Sequence, residues 1–323
     1  MGQLWMWASL GIFILTMLAI DLGVFNRKAH VIKFREAARW TVVVVTSAAV
    51  FNLWIFYRSG PGAGLEFTTG YLIELALSVD NVFVFILIFS YFRVPAQYQH
   101  RVLFWGIFGA LVLRGMMIAT GWLLIDRFHW IIYIFGAFLV FTGIRMATHD
   151  ELEVEPEANP VLKLVRRYVP MTPRYEGTRF FTRSLIGGRL RLVATPLFVV
   201  LVVVETTDVV FALDSIPAIF AVTRDPFLVF SSNAFAILGL RSMYFLLAGV
   251  IEKFHYLNLG LAGVLSFVGV KMLVTYFHVE IPIGLSLGIV GAMLGIAVTA
   301  SLIFPHHHKA RVPLVDDGSE SRP

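Results

Sequence analysis

Residues 194–222 read ATPLFVVLVVVETTDVVFALDSIPAIFAV, a nearly continuous apolar run that carries three carboxylates and a proline close to its end. A run of about 20 apolar residues is long enough to cross a bilayer core of about 30 Å. A charged side chain in that core costs roughly 2.5–3.5 kcal/mol on insertion scales, and such residues usually line a pathway. The stretch therefore predicts a transmembrane helix whose acidic residues have a function.

The whole chain has the composition of a membrane protein. Of its 323 residues, 58% are hydrophobic and 15% are charged, and the mean hydropathy is +0.79; a soluble domain has about 25% charged residues. The absence of cysteine excludes a disulfide-stapled secreted domain, thiolate metal sites and cysteine nucleophiles. The sequence also lacks a phosphate-binding loop, a nucleophile elbow and a His-x-x-x-His pair, so we expect neither an enzyme nor a cofactor.

Windows of 19 residues predict an all-α polytopic membrane protein with about nine transmembrane helices in a single membrane domain. The predicted spans are 4–25, 36–57, 67–92, 103–125, 129–148, 194–222, 227–250, 257–277 and 281–304. The first span lacks the basic start and the cleavage site of a signal peptide, so we expect it to be a retained helix.

The distribution of Lys and Arg predicts the orientation. Of the 26 basic residues, 19 lie in loops on one side, three lie on the other side, and four lie within spans. Because basic loops stay in the cytoplasm, we expect an outside N-terminus and a cytoplasmic tail, 305–323, in a bacterial inner membrane. The net charge of +5 is thereby explained without a nucleic-acid partner.

Two polar segments are compatible with more than one role. The 149–193 segment is acidic and then basic, which fits a cytoplasmic loop, although binding to lipid headgroups or to a protein partner stays open. His306-His307-His308 in the tail is a possible metal-capture site, but histidines in such tails are more often incidental.

Two three-span units, 67–148 and 194–277, share charged motifs at offsets of 126 to 128 residues. The matching pairs are Asp80-Asn81-Val82-Phe83 with Asp208-Val209-Val210-Phe211, Leu113-Arg114-Gly115-Met116 with Leu240-Arg241-Ser242-Met243, Asp126-Arg127-Phe128-His129 with Glu252-Lys253-Phe254-His255, and Gly143-Ile144-Arg145-Met146 with Gly269-Val270-Lys271-Met272. A unit with an odd number of spans is inverted relative to its copy. We therefore predict two inverted repeats, spans 3–5 and 6–8, which is a transporter architecture with its site at the midplane.

Five acids lie deep inside the predicted spans, away from the span ends. They are Glu74, Asp80, Glu205, Asp208 and Asp214. The two deep arginines, Arg114 and Arg241, leave a formal surplus of −3, which bound cations, protons or both must offset. The surplus favours a functional ion pathway; the alternative is that the acids only form structural pairs with the arginines.

Helical spacing groups oxygen ligands on two faces. Glu74 shares a face with Asn81, and Glu205 shares one with Asp208 and Ser215. Carboxylate, amide and hydroxyl oxygens suit Mn²⁺, Mg²⁺ or Ca²⁺ better than Cu(I) or Zn²⁺. The predicted metal ligands are Glu74, Asp80, Asn81, Glu205, Asp208, Asp214 and Ser215.

Pro217 predicts an interruption of the sixth span. Proline has no N–H to donate to the carbonyl of Leu213, and its ring clashes with that carbonyl. We expect the helix to unwind around 213–216, which would turn Asp214 inward and add freed backbone carbonyls to the site.

Four residues are candidates for ion pairing or gating: Asp21, Arg114, Asn233 and Arg241. Asp21 lies at the cytoplasmic end of the first span, beside two basic residues. Asn233 is equally compatible with a ligand and with an interhelical hydrogen bond.

The sequence resembles the TerC family of membrane proteins over about residues 10–304. The motifs that carry the resemblance are DLGVF at 21–25, SVDNVF at 78–83, VETTDVVFALDSIPA at 204–218 and SNAFAILGLR at 232–241. The resemblance is close to the Alx-type members and implies a LysE-like fold and Mn²⁺ export across the inner membrane, in a family named for tellurium resistance. It also implies that Asp80, Glu205, Asp208 and Asp214 carry the ion. Thr206-Thr207, where relatives often have a less hydroxylated pair, is a departure that could alter ion preference.

Two functions from different classes are compatible with these observations. The leading hypothesis is a secondary transporter that exports a divalent metal ion, Mn²⁺ before others, and is driven by a gradient because the chain has no ATPase motif. The alternative is a non-transporting membrane scaffold or assembly factor in stress resistance. The acid cluster separates the two, because a scaffold has no use for a charge surplus at the midplane.

Overall fold

A computed structural model describes residues 2–20, 32, 34–148, 160–186, 189–248, 256–277 and 281–303. The helices are α1 (Gly2–Ile20), α2 (Phe34–Ser59), α3 (Pro61–Tyr91), α4 (Ala96–Arg127), α5 (Ile131–Thr148), α6 (Pro160–Tyr168), α7 (Pro196–Phe220), α8 (Pro226–Leu247), α9 (Leu257–Val274) and α10 (Ile283–Ile303). A 3-10 turn, Thr275–Phe277, follows α9, and two strands, β1 (Phe181–Ile186) and β2 (Arg189–Ala194), lie between α6 and α7.

The predicted class, an all-α polytopic membrane protein, is confirmed. Within the described residues, eight helices are long and apolar enough to cross a membrane, namely α2 to α5 and α7 to α10. The first predicted span corresponds to α1, whose apolar part, Leu4–Ile20, is shorter. Asp21 and the remainder of that span, the 305–323 tail with His306–His308, and residues 249–255 lie outside the described residues.

Helix starts follow local chemistry. Four helices, α3, α6, α7 and α8, begin with proline, whose missing N–H costs nothing in a first turn, where the N–H groups have no intrahelical partner. At α8 the carboxylate of Asp225 also accepts from the backbone N–H of Phe227 at 2.8 Å, which caps the helix. Between α2 and α3 a single residue, Gly60, turns the chain with a φ of 92°, a conformation that favours glycine.

Glycines bring α5 and α9 into backbone contact. A methyl group built on Gly269 would lie 2.6 Å from the carbonyl oxygen of Gly136, and one on Gly143 would lie 2.7 Å from that of Ala262. Small residues allow such close approach of membrane helices. Gly136 precedes Gly143 on α5, whereas its contact Gly269 follows Ala262 on α9, so the two helices run antiparallel. Helices α5 and α9 are the third spans of the two predicted units, and inverted repeats require these spans to be antiparallel. The repeat itself stays a prediction.

The innermost helix is α8. In the most apolar part of α8, 89% of the residues are buried, whereas the corresponding share is 17% in α2, α5 and α10. Helix α8 is therefore enclosed by protein, and the other three helices present broad apolar faces outward. The polar residues that α8 and its neighbours α3, α4 and α7 direct inward are therefore shielded by the outer helices.

The described part of the 149–193 segment is folded. Strands β1 and β2 pair antiparallel, from Phe181 opposite Ala194 to Ile186 opposite Arg189. Between α6 and the hairpin, the hydroxyl of Tyr175 donates to the carbonyl of Phe92 at 2.8 Å, and burial raises the pKa of Tyr175. The segment is thus attached to the connection between α3 and α4.

The predicted interruption of the sixth span is wrong. Helix α7 continues from Pro196 to Phe220 with Pro217 inside it. Because Pro217 is three residues from the helix end, it removes a single hydrogen bond, and the last turn is held by the N–H of Ala221, which donates to the carbonyl of Pro217 at 3.1 Å. A terminal proline of this kind does not need an unwound segment.

Pro217→Ala is accordingly expected to leave the fold intact. The alanine adds an N–H donor in a helix that is already continuous, so the melting temperature should stay the same or rise. Thermal unfolding of the purified variant, followed by size-exclusion chromatography, measures this. A lower melting temperature would mean that the proline itself stabilises the last turn of α7.

Candidate cation site

Arg114, near the middle of α4, is the centre of a buried polar cluster. Its side chain is 1% exposed. Its Nε and Nη2 donate to the two carboxylate oxygens of Asp208 at 3.0 and 2.9 Å, a bidentate geometry that is among the strongest ion pairs. Its Nη1 donates to the carboxylate of Glu74 and, at 3.2 Å, to the hydroxyl of Ser215.

Helical spacing explains why these residues meet. Asp208 and Ser215 are seven residues apart on α7, and Glu74 and Asn81 are seven apart on α3, so each pair occupies one helix face. The Asn81 amide fits in the orientation in which its oxygen accepts from Arg114 at 3.3 Å and its nitrogen donates to the carbonyl of Leu77 at 3.2 Å. Three helices thus contribute to one cluster.

Glu205 adds a third carboxylate beside Asp208. It lies one turn earlier on α7, close enough for the two charges to act on each other, and its carboxylate rests on Gly109 of α4. Among the described residues no hydrogen-bond partner reaches Glu205 Oε2, Glu74 Oε2 or the hydroxyl of Ser78, all of which are buried. Two carboxylates therefore pair with one guanidinium, a third lies beside Asp208, and acceptor oxygens are left open.

The cluster is not a ready-made metal site. Within the part of the chain that the structure describes, no three acidic or histidine side chains lie close enough together to hold a metal ion. Asp208 and one oxygen of Glu74 are occupied by Arg114 instead. The pairing with Arg114 that the sequence offered as an alternative is therefore present, and it leaves Glu205 outside the pair.

Of the predicted metal ligands, the structure brings Glu74, Asn81, Asp208 and Ser215 together around Arg114, with Glu205 adjacent. Asp214 does not join them. On the continuous helix it lies beside Thr142 and Arg145 of α5. Six residues separate it from Asp208, so the two side chains point in directions about 120° apart around the helix axis. The inward position expected for Asp214 depended on the broken helix and is wrong with it.

The remaining predicted residues lie elsewhere. Asp80 is half-buried on α3 and makes no salt bridge with a described residue. Arg241 lines a small cavity beside α2 with Glu36 and Trp40, and Asn233 is buried in α8, where no described partner reaches its amide nitrogen.

Sequence reasoning missed two features. One is Gly109, whose lack of a side chain makes room for Glu205; the Gly106-x-x-Gly109 spacing on α4 was the available signal. The other is a contact outside the cluster, where the hydroxyl of Thr223 donates to Glu66 at 2.6 Å and Lys271 lies near the same carboxylate. Nothing local to either segment predicts that contact.

If the cluster carries a transported ion, Gly109→Ala should lower its uptake by about tenfold without unfolding the protein. A methyl group at this position would lie 2.6 Å from Glu205 Oε2, and the flexible carboxylate can yield but must leave its place beside Asp208. Initial uptake rates in proteoliposomes measure the effect. Gly239→Ala is the matched control, because its methyl group would make an ordinary contact with Val44 at 3.6 Å; equal rates for both variants would contradict the role of Glu205.

These observations define an integral membrane protein of several spans with a charged cluster buried among three of them. The chain belongs to the TerC family, since the integral membrane protein TerC family matches residues 59–309. No solved structure matches it.

Relatives cover nearly the whole chain. An uncharacterized membrane protein, STKORF319, of Myxococcus xanthus is 53% identical over 306 residues, 95% of this chain and 94% of the relative. A protein of Escherichia coli strain K12 named "Putative membrane-bound redox modulator Alx" is 50% identical over 298 residues, 90% of this chain and 91% of the relative. An uncharacterized membrane protein of Rickettsia bellii is 38% identical over 297 residues.

Proposed function

We propose that the protein is a secondary transporter that exports a divalent metal ion, Mn²⁺ before others, through the cluster around Asp208. The observation that supports this most is the imbalance of buried charge. Glu74 and Asp208 share the guanidinium of Arg114, and the carboxylate of Glu205 lies beside Asp208, so the described cluster has three acids and one arginine. Uncompensated charge at this depth is costly, and acids retained there usually mark an ion path.

The chemistry of the donors supports a hard or borderline dication. The open acceptors are oxygens of Glu74, Glu205 and Ser78, and the chain has no cysteine to supply a soft ligand. Mn²⁺, Mg²⁺ and Ca²⁺ prefer such oxygen donors. Among these ions we choose Mn²⁺ because the TerC resemblance implies it.

We further propose a location in the bacterial inner membrane, with the N-terminus outside and the C-terminus in the cytoplasm. The 19 to 3 distribution of loop Lys and Arg supports this orientation. In it the 149–193 segment lies in the cytoplasm, where ion enters the export route.

A scaffold is the second candidate, and one observation favours it. Arg114 pairs with both oxygens of Asp208, as expected of a structural pair. A redox role, which the name of the Escherichia coli relative suggests, would need chemistry other than thiol exchange, because this chain has no cysteine.

Uptake into proteoliposomes tests the proposal. The purified full chain is reconstituted, and accumulation of Mn²⁺, Mg²⁺, Ca²⁺, Fe²⁺ and Zn²⁺ is measured against protein-free vesicles. We expect saturable uptake that is fastest for Mn²⁺. A preference for another dication would revise the substrate, and no saturable uptake of any of the five would favour the scaffold.

A further inference from the structure

The guanidinium of Arg114 occupies the oxygens that a metal ion would use. It holds both oxygens of Asp208 at 2.9 and 3.0 Å and one oxygen of Glu74, while the second oxygen of Glu74 is fully buried and without a described partner. A dication cannot take these ligands while Arg114 stays in place. The second oxygen of Glu74 is a buried acceptor that the guanidinium leaves open.

Charge arithmetic gives the size of that ligand. Glu74, Asp208 and Glu205 carry three formal negative charges, and Arg114 carries one positive charge. One divalent cation would bring the cluster to neutrality, whereas one monovalent ion would leave it negative. Neutrality is strongly favoured for groups buried in low dielectric.

Glu205 is a suitable second position for the arginine. Its carboxylate rests on Gly109, a little more than one turn before Arg114 on the same helix, and long helical side chains lean toward the preceding turn. Its Oε2 is buried and accepts from no described donor. A movement of the guanidinium from Asp208 to Glu205 would free both Asp208 and Glu74.

We infer that Arg114 is a tethered competing cation, which neutralises Asp208 and Glu74 while the site is empty and moves to Glu205 when a single dication takes its place. This inference rests on the proposed function and adds to it a stoichiometry of one dication and a role for a residue that does not ligate the ion. The empty site is then never left as a set of bare buried carboxylates. The ion must displace Arg114 in order to bind, and the return of Arg114 to Asp208 assists the release of the ion.

Removal of the competitor should tighten binding and slow transport. The apparent affinity of a site is lowered by the fraction of time in which it is blocked, so a variant without the guanidinium should bind Mn²⁺ at least about tenfold more tightly. The same variant should turn over more slowly, because nothing displaces the bound ion. A purely structural arginine would give the opposite binding result, since its loss would loosen the site.

The test measures Mn²⁺ binding to the full chain in nanodiscs by equilibrium dialysis, together with Mn²⁺ flux in proteoliposomes. The main variant is Arg114→Gln with Glu205→Gln, which removes one charge of each sign and so preserves the net charge of the cluster. We expect tighter binding and slower flux than in the wild type, with one Mn²⁺ bound per chain. Equal or weaker binding by a folded double variant would overturn the inference.

Two further measurements keep the outcomes distinct. If the double variant does not fold, Arg114→Lys takes its place. The ammonium keeps the charge but cannot donate two parallel hydrogen bonds to one carboxylate, so Mn²⁺ binding should tighten by a few fold. Unchanged binding would overturn the inference. Absence of Mn²⁺ flux in the wild type would instead defeat the proposed function. If the wild type transports Mn²⁺ and the variants bind it with unaltered affinity, the proposed function is supported and the competing role of Arg114 is contradicted.

Discussion

Asp208→Asn is expected to abolish Mn²⁺ export while the amount of inserted protein stays unchanged. The amide keeps the shape of the side chain but is a far weaker ligand for a hard dication than a carboxylate. Folding should not suffer, because Arg114 keeps its pair with Glu74 and the net negative charge of the buried cluster falls by one. We expect a fall in export of at least about a hundredfold, the size typical of a lost essential group.

Cells that express the variant are assayed for manganese content and tolerance, beside an immunoblot of the membrane fraction. Asp214→Asn is the matched control, since it makes the same change on the same helix but lies beside Thr142 and Arg145, outside the cluster. The control should retain most of the export. Wild-type export by an abundant Asp208→Asn protein would remove this residue from the pathway, and loss of export only in the control would move the site to the α5 side of α7.

Gly269→Val is expected to destabilise the protein severely. Already the first carbon of the side chain would lie 2.6 Å from the carbonyl oxygen of Gly136 and 2.8 Å from the backbone nitrogen of Val140. These are backbone atoms of α5 that cannot rotate away, so α5 and α9 must separate. Overpacking of this kind costs about 1–3 kcal/mol and sometimes more, and we expect the upper part of that range because two helices move.

Thermal stability in detergent, followed by fluorescence-detected size-exclusion chromatography, measures this effect. The control is Gly295→Val on α10, where a built methyl group has nothing within 4 Å. We expect a large loss of folded protein for Gly269→Val and little change for the control. Equal stability of both variants would show that α5 and α9 are not in backbone contact.

The sequence predicted what depends on composition and on spacing within one helix. The runs of apolar residues indicated the spans, and the seven-residue spacing of Glu74 and Asn81, and of Asp208 and Ser215, correctly placed each pair on one face. The alternative hypothesis, that the buried acids pair with the deep arginines, is realised at Arg114.

What the sequence did not predict depends on how separate helices are set against one another. Asp208 and Arg114 are 94 residues apart, and no local pattern determines the rotation of α4 that directs the guanidinium to Asp208 rather than to Asp80. The position of Asp214 depended on whether α7 tolerates Pro217, which is decided by the packing of its last turn. The room that Gly109 gives to Glu205 likewise exists only once α4 lies on α7.

Exchange of radioactive manganese tests most directly whether a divalent ion crosses the membrane through the cluster around Asp208. Proteoliposomes loaded with unlabelled Mn²⁺ are placed in labelled Mn²⁺ at equal concentration, so that the label enters without a net gradient or a partner, and protein-free vesicles control for leakage. We predict saturable exchange by the wild type and none by Asp208→Asn reconstituted at equal density. Equal exchange by both proteins, or none by the wild type, would contradict the account.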